Sequence, residues 1–200
     1  MFKTELDNVS YSFGVNIAQN MKSQGMNKIN AELLAQGILD LLDGKKLQIE
    51  ESQIEGILQK YFQELQKKQF DKNITEGKEF LLKNSKRDEV TVLPSGLQYE
   101  IINKGDGAIP KLTDKVTTHY HGTLINGTVF DSSVNRGEPA TFPVNGVIKG
   151  WIESLQLMPT GSKWRIYVPE DLAYGANPHP GGPIEPYSTL IFDIELISIN

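Results

Sequence analysis

The 200-residue sequence contains no cysteine and only three histidines, His119, His121 and His179. The absence of cysteine excludes disulfides, thiolate nucleophiles, zinc-finger sites and iron–sulfur clusters. In the segment His119-x-His121 both rings would project to the same side of a strand, which is a geometry that a metal site can use. We favour the alternative interpretation, two half-exposed strand residues without a metal.

Long apolar segments and an excess of positive charge are also missing. No apolar run approaches the ~20 residues that a membrane helix requires, so no membrane association is predicted. The formal net charge of −5 disfavours binding to nucleic acid phosphates. The N-terminus, MFKTELDNVSYSF, carries acids where a signal peptide would have a basic end and an apolar core. We therefore expect a cytoplasmic protein, with a periplasmic or outer-membrane-associated one, its leader removed, as the alternative.

The motifs of several common enzyme classes are absent. The sequence has no G-x-S-x-G nucleophile elbow, no P-loop and no G-x-G-x-x-G dinucleotide motif. The hydrophobic content of 38% and charged content of 22% are nevertheless ordinary for a folded globular protein. We therefore predict a globular protein that works without a covalent nucleophile, a metal or a cofactor.

The N-terminal part of the chain shows the periodicity of helices. In a first helix, apolar residues recur at three- and four-residue steps, at Leu6, Val9, Phe13, Ile17 and Met21. A second helix is expected from Ala31 to Asp43, with Asn30 as its N-cap. A third begins at Ser52, which stands in capping-box spacing with Glu55.

The third helix is expected to be long. No proline interrupts residues 50–84, and one helix of this length would extend about 50 Å. In its second half the apolar face thins to Phe70, Ile74 and Leu81, with polar residues around them. We therefore predict one stiff linking helix over residues 49–89 whose second half is exposed to water.

The helices within residues 1–48 are too short to form a stable core by themselves. They also carry more apolar surface than one passing helix can cover. The economical prediction is a homodimer in which two copies pair these helices about a two-fold axis. The alternative is that the helices fold back onto the C-terminal half of their own chain.

From about residue 90 the pattern changes to that of strands. The segments SGLQYEII, DKVTTHYHGTLI, SKWRIYVP and STLIFDIELISI are rich in β-branched and aromatic residues, and turn signals separate them. In the last segment Phe192, Ile194 and Leu196 alternate with charged residues, which predicts one buried and one exposed face. Only VIKGWIESLQL indicates a short helix here. The predicted fold class is α+β, an antiparallel sheet against one short helix, preceded by an all-helical region.

The C-terminal half contains a set of aromatic residues near loops: Tyr120, Phe130, Phe142, Trp151, Tyr174 and Phe192. Each could be ordinary core, but Trp151 falls in the first turn of the predicted helix, where its ring could form the floor of a cavity. The segment GTVFDSSVNRGEPATF also sets Asp131 beside an aromatic ring and supplies Arg136 five residues later. Together these residues predict an apolar pocket for a small molecule or a peptide.

Three segments, VTTHYHGTLINGTVFDSS, VIKGWIESLQLMPTGSKWRIYVPEDLAYG and TLIFDIELISI, together resemble the FKBP-type peptidyl-prolyl isomerases. The helical region in front of them resembles the bacterial macrophage infectivity potentiator (Mip)-like branch, whose members are V-shaped homodimers joined by N-terminal helices. The resemblance implies a dimerisation region at 1–48, a linking helix at 49–89 and an isomerase domain at 90–200. It also implies rotation of X–Pro bonds in unfolded or partly folded proteins, chaperone-like client binding by a homodimer, and inhibition by macrolides such as rapamycin.

The resemblance further implies a pocket for a proline ring. It assigns catalytic roles to Tyr120, Phe130, Asp131 and Tyr174. It assigns substrate binding to Arg136, Phe142, Val147, Ile148, Trp151 and Phe192. In this assignment Trp151 is the floor, Arg136 steadies Asp131, the Tyr174 hydroxyl binds a ligand carbonyl, and the backbone N–H of Ile148 holds the carbonyl after the proline.

The sequence departs from the family pattern at two places. Ala140 stands where many single-domain eukaryotic members have an aromatic residue, so that wall of the pocket is expected to be lower. The NPHPGGPIEP loop varies in this branch, so Ile184 is not assigned to the pocket. Two rival predictions are a non-catalytic holdase chaperone on the same fold and a metal-handling protein.

Overall fold

The computed structural model describes residues 3–200, and residues 1 and 2 of the predicted region 1–48 lie outside that range. Within the described residues, no helix is both long and apolar enough to cross a membrane. The chain forms two compact units, and the boundary between them falls between Gln69 and Phe70.

In its described residues, 3–69, the first unit consists of three helices: α1 (Glu5–Ser23), α2 (Ala31–Leu42) and α3 (Glu51–Gln69). The side chain of Thr4 accepts a hydrogen bond from the backbone of Asp7 and the side chain of Asp7 accepts one in return, which forms a capping box at the start of α1. Asn30 caps α2 as predicted, because its side chain accepts from the N–H groups of Glu32 and Leu33.

Apolar side chains of the first unit are largely exposed in the single chain. Neither α1 nor α3 buries any residue, and Asp40 is the one buried residue of α2, among the residues that the structure describes. The exposed fraction is 72% for Leu6, 66% for Phe13 and 68% for Leu41. Exposure of this extent is unusual for residues on a periodic apolar helix face.

The second unit begins with a helix of its own, α4 (Asp71–Asn84). The prediction of one continuous linking helix over residues 49–89 was therefore wrong. Phe70 leaves the helical conformation, with φ −107° and ψ 23°, and separates α3 from α4. The sequence offers neither proline nor glycine at this break.

The predicted exposure of this helical segment to water was also wrong, because α4 packs on the sheet of the second unit. Its Gly77 lies so close to Thr189 that an added Cβ would stand 2.4 Å from the Thr189 hydroxyl oxygen. One turn later, the ring of Phe80 lies 5.9 Å from that of Tyr167 between centroids. The thin apolar face of α4 is sufficient because it covers part of a sheet instead of standing in solvent.

The sheet contains seven strands: β1 (Thr91–Val92), β2 (Gln98–Asn103), β3 (Lys115–Leu124), β4 (Val129–Ser132), β5 (Ala140–Pro143), β6 (Lys163–Val168) and β7 (Leu190–Ile199). The strand order is β1-β2-β6-β7-β3-β4, and β5 pairs with the first half of β3 beside β4. Every pairing is antiparallel, as predicted.

The core lies on one face of this sheet. Strand β7 shows the predicted alternation, with Phe192, Ile194 and Leu196 buried, whereas Glu195 is exposed. Asp193 lies on the opposite face and accepts hydrogen bonds from Arg165 of β6 at 2.5 and 2.7 Å.

Helix α6 (Lys149–Leu155) covers the core face, as predicted from VIKGWIESLQL. It approaches the sheet closely, because a Cβ on Gly150 would lie 2.6 Å from Val168 of β6. The structure adds a one-turn helix that was not predicted, α5 (Ser133–Arg136), between β4 and β5. The fold class of an antiparallel sheet against a short helix is therefore confirmed, with α5 and the packed α4 as additions.

Candidate active site

A cavity of about 650 Å³ opens between α6 and the edge of the sheet. It is lined by Tyr120, Phe130, Asp131, Phe142, Gly146, Val147, Ile148, Trp151, Tyr174, His179, Gly182, Pro183, Ile184 and Phe192. The structure thus brings nine of the ten predicted site residues to one cavity. The tenth, Arg136, stands beside it and contacts two of the lining residues.

The indole of Trp151 stands at the centre of the aromatic lining. Its ring is met edge-on by Tyr120, Phe142 and Phe192, with centroid distances of 5.4, 5.9 and 5.3 Å and interplanar angles of 83°, 83° and 86°. Edge-to-face contacts of this kind are favourable for aromatic rings and hold each ring in one orientation. The three perpendicular rings and the indole enclose an apolar recess.

Phe130 extends this aromatic lining from strand β4. Its ring lies 5.3 Å from that of Phe192 at an angle of 82°. The Phe130 ring can cross β3 because residue 122 is a glycine, where an added Cβ would stand 2.6 Å from the ring. The absence of a side chain at position 122 therefore leaves the space that the Phe130 ring occupies in the cavity lining.

Asp131 is held by two donors at the rim of the cavity. The hydroxyl of Tyr120 donates to its Oδ2 at 2.5 Å, and the guanidinium of Arg136 donates to its Oδ1. Arg136 also donates to the Tyr120 hydroxyl oxygen at 2.9 Å. The carboxylate, the phenol and the guanidinium therefore form a closed triangle of hydrogen bonds.

Helix α5 places Arg136 in this triangle. Ser132 caps the helix, because its hydroxyl accepts from the backbone N–H of Asn135 at 3.1 Å. Gly137 ends the helix with φ 77°, a left-handed conformation that glycine adopts at little cost. This single helical turn brings the guanidinium of Arg136 back to the carboxylate of Asp131.

These contacts determine the charge of Asp131. Burial alone would raise the pKa of this carboxyl group, but the hydrogen bonds from Tyr120 and Arg136 outweigh burial and leave the pKa below its ordinary value. Burial raises the pKa of Tyr120, and its hydrogen bond to Asp131 raises it further. At neutral pH the rim therefore carries an ionised carboxylate and a neutral phenol.

The other side of the rim is formed by main chain and loop residues. Val147 and Ile148 connect a 3₁₀ turn (Val144–Gly146) to α6, and Ile148 is the N-cap residue of α6. Among residues 3–200, no acceptor is hydrogen-bonded to the backbone N–H of Ile148. Tyr174 lies across the cavity, 36% exposed, with a pKa raised by burial and by the charge of Asp131.

Sequence reasoning missed part of the lining. His179, Gly182, Pro183 and Ile184 come from the loop between Tyr174 and β7, and the resemblance had left Ile184 unassigned. Periodicity carries no information in an irregular loop. The one available signal for these residues was their closeness in sequence to Tyr174, a predicted site residue at the start of the same Gly- and Pro-rich loop.

The histidines of strand β3 contact serines. His119 Nδ1 lies 3.1 Å from the Ser133 hydroxyl, and His121 Nδ1 lies 2.9 Å from the Ser132 hydroxyl. Within the described range 3–200, no group of three or more His, Asp or Glu side chains is arranged to hold a metal ion.

Comparison with known proteins gives the same assignment for the whole chain. Residues 107–197 match the family model for FKBP-type peptidyl-prolyl cis-trans isomerases, and residues 6–101 match the model for the domain amino-terminal to it. "Outer membrane protein MIP" of Legionella longbeachae is 48% identical, with 98% of this chain and 87% of that protein aligned. The FKBP-type 22 kDa peptidyl-prolyl cis-trans isomerase of Escherichia coli K12 is 44% identical over 99% of this chain and 97% of its own.

A solved structure supports the fold over the same length. The crystal structure of FkpA from Escherichia coli superposes with a TM-score of 0.65 at 34% sequence identity, covering 100% of this chain and 99% of that chain. The resemblance inferred from the sequence motifs is therefore confirmed. The chain belongs to the family of FKBP-type peptidyl-prolyl cis-trans isomerases.

Proposed function

We propose that the protein rotates X–Pro bonds by binding the proline ring in the aromatic recess over Trp151. The observation that carries this proposal is the recess itself, an indole surrounded by three nearly perpendicular rings. A pyrrolidine ring is compact and apolar, and its CH₂ groups bring no hydrogen-bonding atom into such a recess. Tyr120, Phe142 and Phe192 act as the walls, and Val147 and Ile148 contribute the apolar rim.

The reaction requires no covalent chemistry from the protein. Rotation about an X–Pro bond breaks amide resonance, at a barrier of about 18–20 kcal/mol and over tens to hundreds of seconds unaided. In the twisted transition state the nitrogen becomes pyramidal and the C–N dipole shrinks. A water-poor recess disfavours the planar, more dipolar ground state, and shape complementarity to the twisted form adds to the effect. A millionfold acceleration would need about 8 kcal/mol of such differential stabilisation.

Asp131 acts on the rotating carbonyl in this proposal. Loss of resonance makes the carbonyl oxygen less negative and the carbonyl carbon more electron-poor. A carboxylate nearby therefore interacts more favourably with the twisted state than with the planar one. Tyr120 and Arg136 keep Asp131 ionised and oriented, which the lowered pKa supports, and Phe130 limits the access of water.

Two further groups bind the peptide on either side of the proline. The backbone N–H of Ile148, free at the start of α6, donates to the carbonyl after the proline. The hydroxyl of Tyr174 donates to a second ligand carbonyl from the opposite side of the cavity. These two donors orient the chain, whereas the rings bind the proline.

The first test is the cis-to-trans rate of a short Leu-Pro peptide, with and without rapamycin. We expect a strong acceleration that the macrolide abolishes, because both ligands would occupy the recess over Trp151. Tight rapamycin binding without acceleration would reject turnover and favour the holdase on the same fold.

We also propose that the protein is a homodimer through its first unit. The support is the apolar surface that the single chain leaves exposed on α1 and α2, including Leu6, Phe13 and Leu41. A second copy would cover these faces about a two-fold axis.

Sedimentation of the wild type and of a Phe13→Glu variant tests the dimer, and the variant should be a monomer. The matched control is Tyr11→Glu, because Tyr11 is also exposed but lies on another side of α1. A monomeric wild type would reject this part of the proposal.

A dimer of this kind would present two pockets to one unfolded client. Two weak contacts on the same chain raise the apparent affinity through effective concentration. A truncated protein of residues 70–200 should therefore turn over short peptides like the full chain but accelerate proline-limited refolding of a protein less. Equal refolding activity would show that the first unit has no part in client binding.

The cellular location is a separate proposal. The comparisons do not support the predicted cytoplasmic location, since the relative at 48% identity is named an outer membrane protein. We infer the alternative, a protein of the cell envelope. Fractionation of cells with an antibody against the chain tests it, and recovery with cytoplasmic markers alone would reject it.

A further inference from the structure

The side chain of Asn73 connects helix α4 to the loop that carries part of the cavity wall. Its amide nitrogen donates to Glu185 Oε2 at 3.0 Å and to the backbone carbonyl of Pro186 at 3.1 Å. The two acceptors are 112 and 113 residues away in sequence. They follow directly after Ile184, which lines the cavity.

Asn73 contacts the segment of residues 175–187, which we name the pocket loop because several of its residues line the cavity. Its ends are tied together, because the N–H of Tyr187 donates to the carbonyl of Gly175 at 2.8 Å. Tyr187 is buried and has φ 60°, an uncommon conformation for a residue with a side chain. Such a conformation persists where the surrounding contacts over-determine it. The pocket loop therefore depends on contacts at its base for its position.

The position of α4 makes the Asn73 contact possible. Gly77 lies four residues later on the same face of the helix and is in close contact with Thr189, at the entry to β7. A Cβ at position 77 would stand 2.4 Å from the Thr189 hydroxyl oxygen and 3.3 Å from its Cβ, so a larger residue would require either Thr189 or the helix to shift. The close approach at Gly77 therefore brings Asn73 within hydrogen-bonding distance of the pocket loop.

We propose that Asn73 is a positioning residue for substrate binding. It holds the base of the pocket loop, and through it the cavity wall at Pro183 and Ile184. The floor and the Asp131 rim belong to other elements and do not depend on it. Asn73 therefore controls KM and the preference for residues flanking the proline, and leaves kcat unchanged. This inference rests on the proposed function of the cavity.

The test is an Asn73→Asp substitution in the 200-residue chain. The variant keeps the size of the side chain but removes both donated hydrogen bonds and sets a carboxylate against that of Glu185. We expect KM to rise about two- to tenfold, the range that corresponds to the net contribution of one hydrogen bond. The ratio of kcat/KM between Leu-Pro, Ala-Pro and Glu-Pro peptides should change, with kcat within error of wild type. Thr75→Ala, on an exposed position of the same helix, is the control and should change neither.

A second substitution distinguishes positioning from loss of stability. In Asn73→Asp/Glu185→Gln the donor and acceptor are exchanged, so one hydrogen bond can form again in the reverse direction. KM should return part of the way to wild type, and the remaining deficit corresponds to the Pro186 carbonyl. The coupling in this double-mutant cycle is not expected from a general loss of stability.

Three results would overturn the inference. They are a lowered melting temperature with unchanged KM and peptide preference, a fall in kcat that is equal for all peptides, and no recovery in the double variant. Hydrogen exchange at the amides of Gly182 and Ile184 is measured in parallel and should be faster in Asn73→Asp than in Thr75→Ala. Because this readout needs no turnover, an inactive wild type would refute the proposed isomerase function without deciding the role of Asn73. Unchanged exchange would refute the role of Asn73 alone.

Discussion

Replacing Asp131 by asparagine tests the electrostatic part of the proposed mechanism. The substitution keeps the shape of the side chain and an oxygen that can accept from Tyr120, but it removes the charge at the rim of the cavity. Arg136 loses its ionic partner, yet its side chain is 51% exposed, so water can solvate the guanidinium. The fold should therefore survive the change, and the effect should appear in the rate.

The magnitude follows from the charge that moves in the reaction. If twisting changes the charge on the carbonyl by roughly a quarter of an elementary charge, a carboxylate about 4 Å away contributes on the order of 1 kcal/mol at an effective dielectric constant near 20. That free energy corresponds to about fivefold in rate. The aromatic recess, which the substitution leaves intact, would supply most of the acceleration. We therefore expect kcat/KM to fall about three- to tenfold in Asp131→Asn, not to vanish.

The assay is the isomerisation of a Leu-Pro peptide, with the melting temperature measured in the same buffer. Asp193→Asn is the matched control, because Asp193 is also a strand aspartate hydrogen-bonded to an arginine but lies on the opposite face of the sheet. The control should keep its kcat/KM even if it is less stable. An Asp131→Asn variant as active as wild type would refute the electrostatic role, and a loss beyond a hundredfold would refute the estimate that the recess dominates.

Three further outcomes follow from the geometry of the site and of α4. Because the pKa of Asp131 is lowered, its ionised form stabilises the fold at pH values above its ordinary pKa of 3.8, and this contribution is lost as pH falls through the folded pKa. Arg136→Leu removes one cause of the lowered pKa, so Asp131 should become protonated at higher pH and the acid limb of the kcat/KM profile should move to higher pH with it. Arg136→Lys should move the acid limb less, and identical limbs in wild type and both variants would contradict the pairing. Gly122→Ala should force the Phe130 ring out of position, destabilise the protein by about 1–3 kcal/mol and raise KM, and a wild-type KM would argue against a role for that ring. Gly77→Ala should lower the melting temperature despite the higher helix propensity of alanine, and a more stable variant would show that α4 can move away from the sheet without cost.

The sequence predicted the features that local pattern determines. Alternation along β7 identified the buried face of Phe192, and turn signals around VIKGWIESLQL located α6 and Trp151. The family motifs then assigned ten site residues, of which the cavity includes nine. The site residues on strands lie near one another because β4, β5 and β7 all pair with β3, and antiparallel pairing brings these distant segments into register.

What the sequence did not predict depends on contacts between distant segments. The break at Phe70 has no local signal, since neither proline nor glycine marks it. A thin apolar face on a polar helix fits an exposed spacer as well as it fits a helix laid on a sheet. Gly77, a glycine inside a helical pattern, is consistent with a close approach of another segment, but Gly14, Gly37 and Gly56 also lie in helices and have nothing within 4 Å, so this signal does not identify the contact. The one-turn helix α5 was not predicted, because four residues are too few for any helical periodicity to appear.

The packing of α4 on the sheet also bears on how such proteins can be recombined. The change from helical to strand pattern in the sequence suggests a domain boundary at the first strand, near residue 90. An isomerase domain transplanted at that point would arrive without Gly77 and Phe80, and the Tyr167 side of its sheet would lose its cover. The part of the chain that must be transferred as one piece is therefore the sheet together with α4. Exchange of N-terminal regions between relatives should be tolerated best when the junction falls at Phe70.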